Sequence, residues 1–322
     1  MSSEAPAKLA AAARRPAARG PGLVGVSPGR LVARRFLRHH LAVLSGALLL
    51  ALALASLSAP LVALALGHDP NAVDLFGRFA APSLHHPLGT DELGRDLLLR
   101  LLYGGRVSLF VGLVGALAAA LLGTVIGLLA GYLGGRLDAL LMRLTDAVIA
   151  LPLLPLLIVL AAVDLTKLGL PAELARSESA SLYRILVIVA LVGWTTVARL
   201  VRGATLSVRE RDYVRAAVAL GAGPLRIMVW HILPNVISPI IVATTLSVGY
   251  VILTESVLSF LGLGIQPPLP SWGNMLTNAQ ELIWQAPSLA VYPGLLIFTT
   301  VIAFNFLGDG LQDALDPRAA EP

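Results

Sequence analysis

Y-V-R-A-A-V-A-L-G-A-G-P-L-R-I-M-V-W-H-I-L-P-N-V-I-S-P, residues 213–239, interrupts a chain that is otherwise mostly apolar. Two short helical patterns meet there at a glycine. Arg211 to Leu220 predicts a helix of about two and a half turns, with Val214, Ala217 and Val218 on one face. Gly221 follows where a helix C-terminus calls for a left-handed residue. Gly223-Pro224 restarts a helix, because proline is tolerated at the first helical position. Leu225, Met228, Val229 and Ile232 recur at helical spacing, and Pro234 and Pro239 lead into the next apolar run. The small Ala216, Ala217, Ala219 and Ala222 make a close-fitting surface. On these residues alone two readings stand level: an amphipathic hairpin lying on a membrane, or a knob that docks a partner in the aqueous phase.

The composition decides what surrounds the hairpin. Of 322 residues, 57% are hydrophobic and only 13% charged, with a mean hydropathy of +0.81. About a quarter of a soluble domain is charged, so this chain cannot clothe a soluble surface and reads as an integral membrane protein. The net charge is +5, but basic and aromatic residues are not interleaved, which leaves nucleic-acid binding without support. The absence of cysteine excludes disulfides, thiolate metal sites and cysteine nucleophiles.

Outward from the hairpin the apolar runs predict six spans. Leu41 to Leu66 carries no charge and is long enough for the roughly 30 Å hydrocarbon core. It lies too far from the start, and is too long, for a cleaved signal peptide. The second span is predicted over Val107–Tyr132, where Gly112, Gly115, Gly123, Gly127 and Gly131 include spacings that let helices approach closely. The third covers Leu137–Val163, with Pro152 and Pro155 expected to kink it or open it locally and Arg143 and Asp146 able to pair on one face at their i,i+3 spacing. The fourth covers Tyr183–Val201, the fifth Val236–Leu263 and the sixth Ser288–Leu307. In the first connection, Thr90 is expected to cap a short helix with Asp91 and Glu92 in its first turn and Leu93, Leu97, Leu101 and Leu102 on one face. His85 and His86 match no metal-ligand spacing and read as structural.

Charge orients the spans. Lys8, Arg14, Arg15, Arg19, Arg30, Arg34, Arg35 and Arg38 precede the first span against Glu4 alone, and Arg199, Arg202, Arg209, Arg211, Arg215 and Arg226 surround the hairpin. Under the positive-inside rule this places both termini and the hairpin in the cytoplasm. The chain then divides into a basic tail (1–40, of which 1–27 reads as disordered), a first transmembrane helix (41–66), an outer connection (67–106), a core of spans (107–310) carrying the hairpin (204–234), and a short inner tail (311–322).

Catalytic patterns are missing. No G-x-x-x-x-G-K-[ST], H-E-x-x-H or G-x-S-x-G occurs, so an enzyme has no motif to stand on. Ionisable residues within spans are functional candidates by default. Glu255 lies about 20 residues beyond Pro234, roughly 30 Å of helix toward the outer end. Asp146 lies near the inner end of the third span, and for it and Glu255 the plainer reading is a helix–helix hydrogen bond or an interfacial position. Glu255 and Asn305 are candidates for a translocation path.

The pattern A-A-x-x-x-G followed by I-L-P, here Ala216-Ala217, Gly221 and Ile232-Leu233-Pro234, resembles the EAA loop of ABC-transporter permeases. Further stretches agree in order: H-P-L-G-T-D-E-L-G-R-D (86–96), R-V-S-L (106–109), G-Y-L-G-G-R-L-D (131–138), L-S-F-L-G-L-G-I-Q-P-P-L-P-S-W-G-N-M-L (258–276) and P-G-L-L-I-F-T-T-V-I-A-F-N-F-L-G-D-G-L-Q-D-A-L-D-P-R (293–318). Together they resemble the second permease subunit of dipeptide, oligopeptide and nickel importers, the DppC/OppC type, over residues 30–318.

The resemblance implies an all-α, six-span, type I (MetI-like) transmembrane domain in a bacterial cytoplasmic membrane. It implies a second homologous permease, two cytoplasmic ATPases that hydrolyse ATP, and an extracytoplasmic binding protein that delivers a peptide. It implies no cofactor, metal or catalytic residue in this chain. The hairpin becomes the part that meets an ATPase, with Tyr213, Arg215, Ala216, Ala217, Gly221, Leu225, Ile232, Leu233 and Pro234 as its coupling residues. Arg215 departs from the family, which often has glutamate there. The alternatives are the same architecture importing nickel or another small solute, and a stand-alone proton-coupled carrier or channel.

Overall fold

The apolar runs become long helices. A computed structural model of the chain describes residues 28–316, apart from 169, 170, 172, 174–176 and 178. The tail read as disordered (1–27), and Arg176 and Glu178 of the third connection, lie outside the described residues. In order, the main helices are α1 (Pro28–Arg38), α2 (His40–Leu57), α3 (Ala59–Leu66), α4 (Leu97–Leu133), α5 (Gly135–Ala150), α6 (Leu153–Ala162), α7 (Ala180–Arg209), α8 (Asp212–Ala219), α9 (Leu233–Phe260) and α10 (Ser288–Leu315). Among the described residues, five helical segments are long and apolar enough to cross a membrane, and α5 with α6, bent by 90°, makes up to six if the pair is one span.

Proline and glycine account for the breaks. The first span divides at Ser58, because Pro60 in the first turn of α3 has no N–H to continue the ladder of α2. The third span divides at Leu151-Pro152, both extended, and turns through that right angle. The expected kink is therefore a corner.

Several local expectations are corrected. Thr90 caps no helix. Its hydroxyl accepts from the Ala80 N–H and donates to the Gly77 carbonyl, while Asp91 Oδ1 accepts from the Leu93 and Arg95 N–H groups and closes a turn through Gly94 at φ +75°. The helix starts only at Leu97, capped by Asp96, whose Oδ1 accepts from the Leu99 N–H at 2.8 Å. Asp91 and Glu92 thus stand outside its first turn, and Leu93 off its face. Arg143 and Asp146 do not pair. Asp146 bonds Arg199 of α7, which packs alongside, and Arg143 is exposed without an ion pair among the described residues. The predicted inner tail is partly helical, since α10 runs on to Leu315.

Close backbone contact organises the centre. Gly123, Gly127 and Gly131 form one stripe on α4, against α7. A Cβ on Gly123 would lie 2.5 Å from the Trp194 carbonyl oxygen, one on Gly127 2.6 Å from that of Ala198, and one on Gly131 2.7 Å from Thr205 Cβ. In lipid, apolar surface gives helices little reason to associate, so such contact and interhelical polar bonds carry the pairing. At the end of these two helices Gly134 and Gly135 turn the chain at φ +66° and +59°. Arg202 Nε and Nη2 grip both oxygens of Asp138, and Arg209 Nη1 donates to the Gly131 carbonyl at 3.0 Å. The motif at 131–138 is therefore the joint that locks α4, α5 and α7 together beneath the hairpin.

Candidate functional site

The hairpin connects α7 to α9 and is built as its residues dictate. Helix α8 ends in a left-handed Gly221 at φ +83°. The Ala222 N–H reaches the Ala217 carbonyl at 3.0 Å and the Gly221 N–H that of Val218 at 2.9 Å, satisfying carbonyls the helix leaves open. Gly223 then starts a short helix over Pro224–Ile227, with proline in its first turn.

The next turn was not legible in the sequence. Met228–Ile232 is π-helical and runs straight into α9. Pro234 has no N–H and crowds the preceding turn, so the ladder widens there, and the Leu233 N–H bonds the Met228 carbonyl five residues back. The second arm of the hairpin and the fifth span consequently form one 37-residue helical segment, Pro224–Phe260.

One side of the hairpin is buried and the other bare. Val214, Ile227, Met228 and Ile232 pack with Val236 and Ile240 of α9 against Ala120 and Leu128 of α4 and Val197 and Val201 of α7. Ala217 is also buried. The tip faces away: Leu220 is 88% exposed, Leu225 72% and Val218 53%. Val218 therefore leaves the face shared by Val214 and Ala217, a correction of the predicted stripe. Tyr213, Arg215, Ala216, Gly221 and Pro234 are also exposed, Leu233 is half-buried and Ile232 fully buried. The predicted coupling residues thus fall into an outward set around Tyr213, Ala216, Gly221 and Leu225, and an anchoring set of Ala217, Ile232 and Leu233. Arg215 Nη2 bonds Glu210 Oε2 at 2.8 Å, so its acidic partner is in its own chain. This bond, with help from Arg209, holds the Glu210 carboxyl below its usual range and raises Arg215.

Above the hairpin a cavity of about 970 Å³ opens beside α9. Asn235, Ser238, Val242, Ala243, Leu246, Ser247, Tyr250, Val251 and Thr254 line it from α9 at helical spacing. Thr195 and Thr196 of α7, Ile149 and Leu153 at the α5–α6 corner, and Gln312 of α10 complete the wall; Asp316 is the one charged residue among the lining residues. Such a surface offers hydroxyl and amide groups on an apolar background. Neither path candidate lines it. Asn305 is exposed on α10, and Glu255 lies just past the end of the α9 stripe, fully buried.

Glu255 instead closes the end of the bundle opposite the hairpin. Ser259 Oγ donates to Glu255 Oε1 at 2.6 Å and Ser108 Oγ to Oε2 at 3.3 Å. The same hydroxyls accept backbone N–H groups from the following loop, Ser259 from Ile265 at 2.9 Å and Ser108 from Trp272 at 3.1 Å. Trp272 Nε1 donates to the Leu101 carbonyl, and Asn274 Nδ2 to the Ile265 and Leu269 carbonyls. The motif at 258–276 is thus a loop tied through two serines to one carboxylate. A second polar cluster lies in the connection between α3 and α4. His86 Nδ1 meets Asp96 Oδ2 at 2.9 Å, and Asp91 pairs with Arg95 and Arg100. Among the described residues no group of three or more His, Cys, Asp or Glu could hold a metal.

Comparison with known proteins identifies the architecture. Residues 123–321 match the family described as binding-protein-dependent transport system inner membrane component. Residues 27–82 match the N-terminal transmembrane domain of oligopeptide transport permease C. A putative peptide transport system permease protein of Brucella abortus is 41% identical over 297 residues, covering 92% of this chain and 94% of its own length. A glutathione transport system permease protein of Pectobacterium atrosepticum is 40% identical over 293 residues, 91% and 92% of the two chains. The solved structure of an amino acid ABC transporter aligns with 65% of this chain and 90% of its own, at 16% identity and a TM-score of 0.45.

Proposed function

Because the chain belongs to the family of binding-protein-dependent transport system inner membrane components, and so is a permease of an ABC importer, we propose that it carries di- or oligopeptides inward by alternating access, driven through its hairpin. The observation that carries this reading is the continuous segment Pro224–Phe260, which joins the bare apolar tip of the hairpin to the helix face lining the 970 Å³ cavity. A rigid element with one end at a partner and the other at a cavity can transmit a displacement. A nucleotide on the partner shifts it only by favouring one of its two positions.

The hairpin end is then the cytoplasmic end, where the arginines gather, and both termini lie there. Two ATPase subunits bind and hydrolyse ATP, a second homologous permease completes the pathway, and a binding protein on the opposite side delivers the peptide. This chain binds no cofactor. The neutral hydroxyls and amides of the cavity suit peptide groups without selecting among side chains, which leaves selection to the binding protein. The relatives named for peptide and for glutathione transport favour cargo with peptide bonds.

Reconstitution tests the proposal. Proteoliposomes holding this chain with its partner permease, ATPases and binding protein should take up labelled dipeptide only with ATP, and lose uptake when this chain is omitted. Uptake by this chain alone down a proton gradient would sink the reading in favour of a stand-alone carrier.

A further inference from the structure

Helix α1 carries a row of charge that no described residue answers. Arg30, Arg34 and Arg38 follow at i, i+4 and i+8, all exposed, and among the described residues none has an ion pair. Like charges at this spacing destabilise a helix, so the row calls for an external anion. Arg35 differs. Its Nη1 donates to the Asp316 carbonyl at 3.1 Å and fastens α1 to the end of α10. His39 Nε2 approaches Asp313 at 3.7 Å, and His39 Nδ1 accepts from the Ala42 N–H to cap α2. The helix is therefore held in place, with its arginine row turned outward. Arg34, Arg35, Arg38 and Leu31 enclose a groove of about 210 Å³.

We infer that this groove binds the headgroup of an anionic phospholipid. Only His39 separates α1 from α2, so the groove sits at the edge of the hydrocarbon layer. Leu31 and Leu37 are exposed on the same helix, 42% and 65%, which suits glycerol and acyl chain and would be wasted on a soluble anion. Guanidinium groups grip phosphate oxygens through paired N–H donors. The bound lipid neutralises the row and ties the joined ends of α1 and α10 to the membrane surface.

The experiment uses the chain purified with its partner subunits in nanodiscs of equal phosphatidylglycerol and phosphatidylcholine, with retained lipid counted by native mass spectrometry. An arginine near an anionic surface is worth about a fivefold preference. Arg34→Gln with Arg38→Gln should therefore lower the phosphatidylglycerol preference at least about fivefold. Arg34→Lys with Arg38→Lys should keep most of it, and Lys167→Gln all of it. An unchanged preference in the double glutamine variant overturns the inference. Removal of the lipid by inorganic phosphate as completely as by substitution overturns it in favour of a free-anion site.

Discussion

Ser108 and Glu255 stand 147 residues apart in the chain and meet at 3.3 Å inside the bundle, where the serine also accepts the Trp272 N–H. That relay joins α4, α9 and the loop after α9 through one buried carboxylate. The helix whose far end it secures begins at the hairpin, so the bond lies at the opposite end of the element proposed to transmit movement.

Glutamine at 255 keeps the shape and an acceptor, whereas alanine strands two buried hydroxyls that hold loop backbone. An unsatisfied buried polar group costs about 1–3 kcal/mol. Glu255→Gln should stay near the parent in thermal unfolding of the detergent-solubilised protein. Glu255→Ala should unfold at lower temperature and expose the 261–278 loop to protease. Equal behaviour of the two variants would show that the carboxylate holds nothing.

The glycine stripe of α4 permits a second test. A methyl at Gly127 would meet the Ala198 carbonyl oxygen at 2.6 Å, and backbone there cannot swing aside. Overpacking of this kind costs about 1–3 kcal/mol. Gly127→Ala should destabilise the subunit, while Gly203→Ala on α7, with nothing within 4 Å, should not. Thermal unfolding of the two variants side by side decides the matter.

Legibility followed distance along the chain. Spans and hairpin were readable because apolar runs, helical spacing and Gly221 act locally. The pairing of Asp146 was not, because its partner Arg199 lies 53 residues away on a helix whose neighbours the sequence does not reveal. The i,i+3 spacing allowed a local bond to Arg143, but Asp146 pairs with Arg199 instead. Thr90 lost its cap to Asp96 because Asp91 commits an oxygen to a turn, a competition between equally good caps that composition leaves open. Glu255 was visible as an unusual charge, but its serine and loop partners, and hence its enclosure, arise only on folding.

Arg215 tests the electrostatics of the hairpin. Its partner Glu210 has a lowered value, so the pair's contribution is present above the unfolded carboxylate value and is lost only as pH falls through the lower folded one. From about pH 6 to 8 the pair is constant. Both groups are exposed, and such pairs add little to stability. Arg215→Ala should therefore leave thermal unfolding unchanged and weaken ATPase association less than Leu225→Ala does, at either end of that range. Pull-down of the ATPase by each variant measures this; a larger loss from Arg215→Ala would assign the arginine a direct acidic partner on the ATPase.

Gly221 offers the sharpest test of coupling. Beyond its chain neighbours no atom lies within 4 Å of where its Cβ would stand, so a Cβ there meets open space and the penalty is chiefly conformational. At φ +83° asparagine is tolerated, whereas a β-branched residue is strongly disfavoured, with a cost of about 1–2 kcal/mol for the left-handed conformation. A valine in its place would relieve that strain by unwinding the end of α8, moving Leu220 and Leu225 apart without touching the buried face that anchors the hairpin. Gly221→Val should therefore insert and assemble, yet leave ATP hydrolysis running without uptake in proteoliposomes, while Gly221→Asn keeps most of both. Normal uptake by Gly221→Val would mean that the shape of the tip does not carry the stroke.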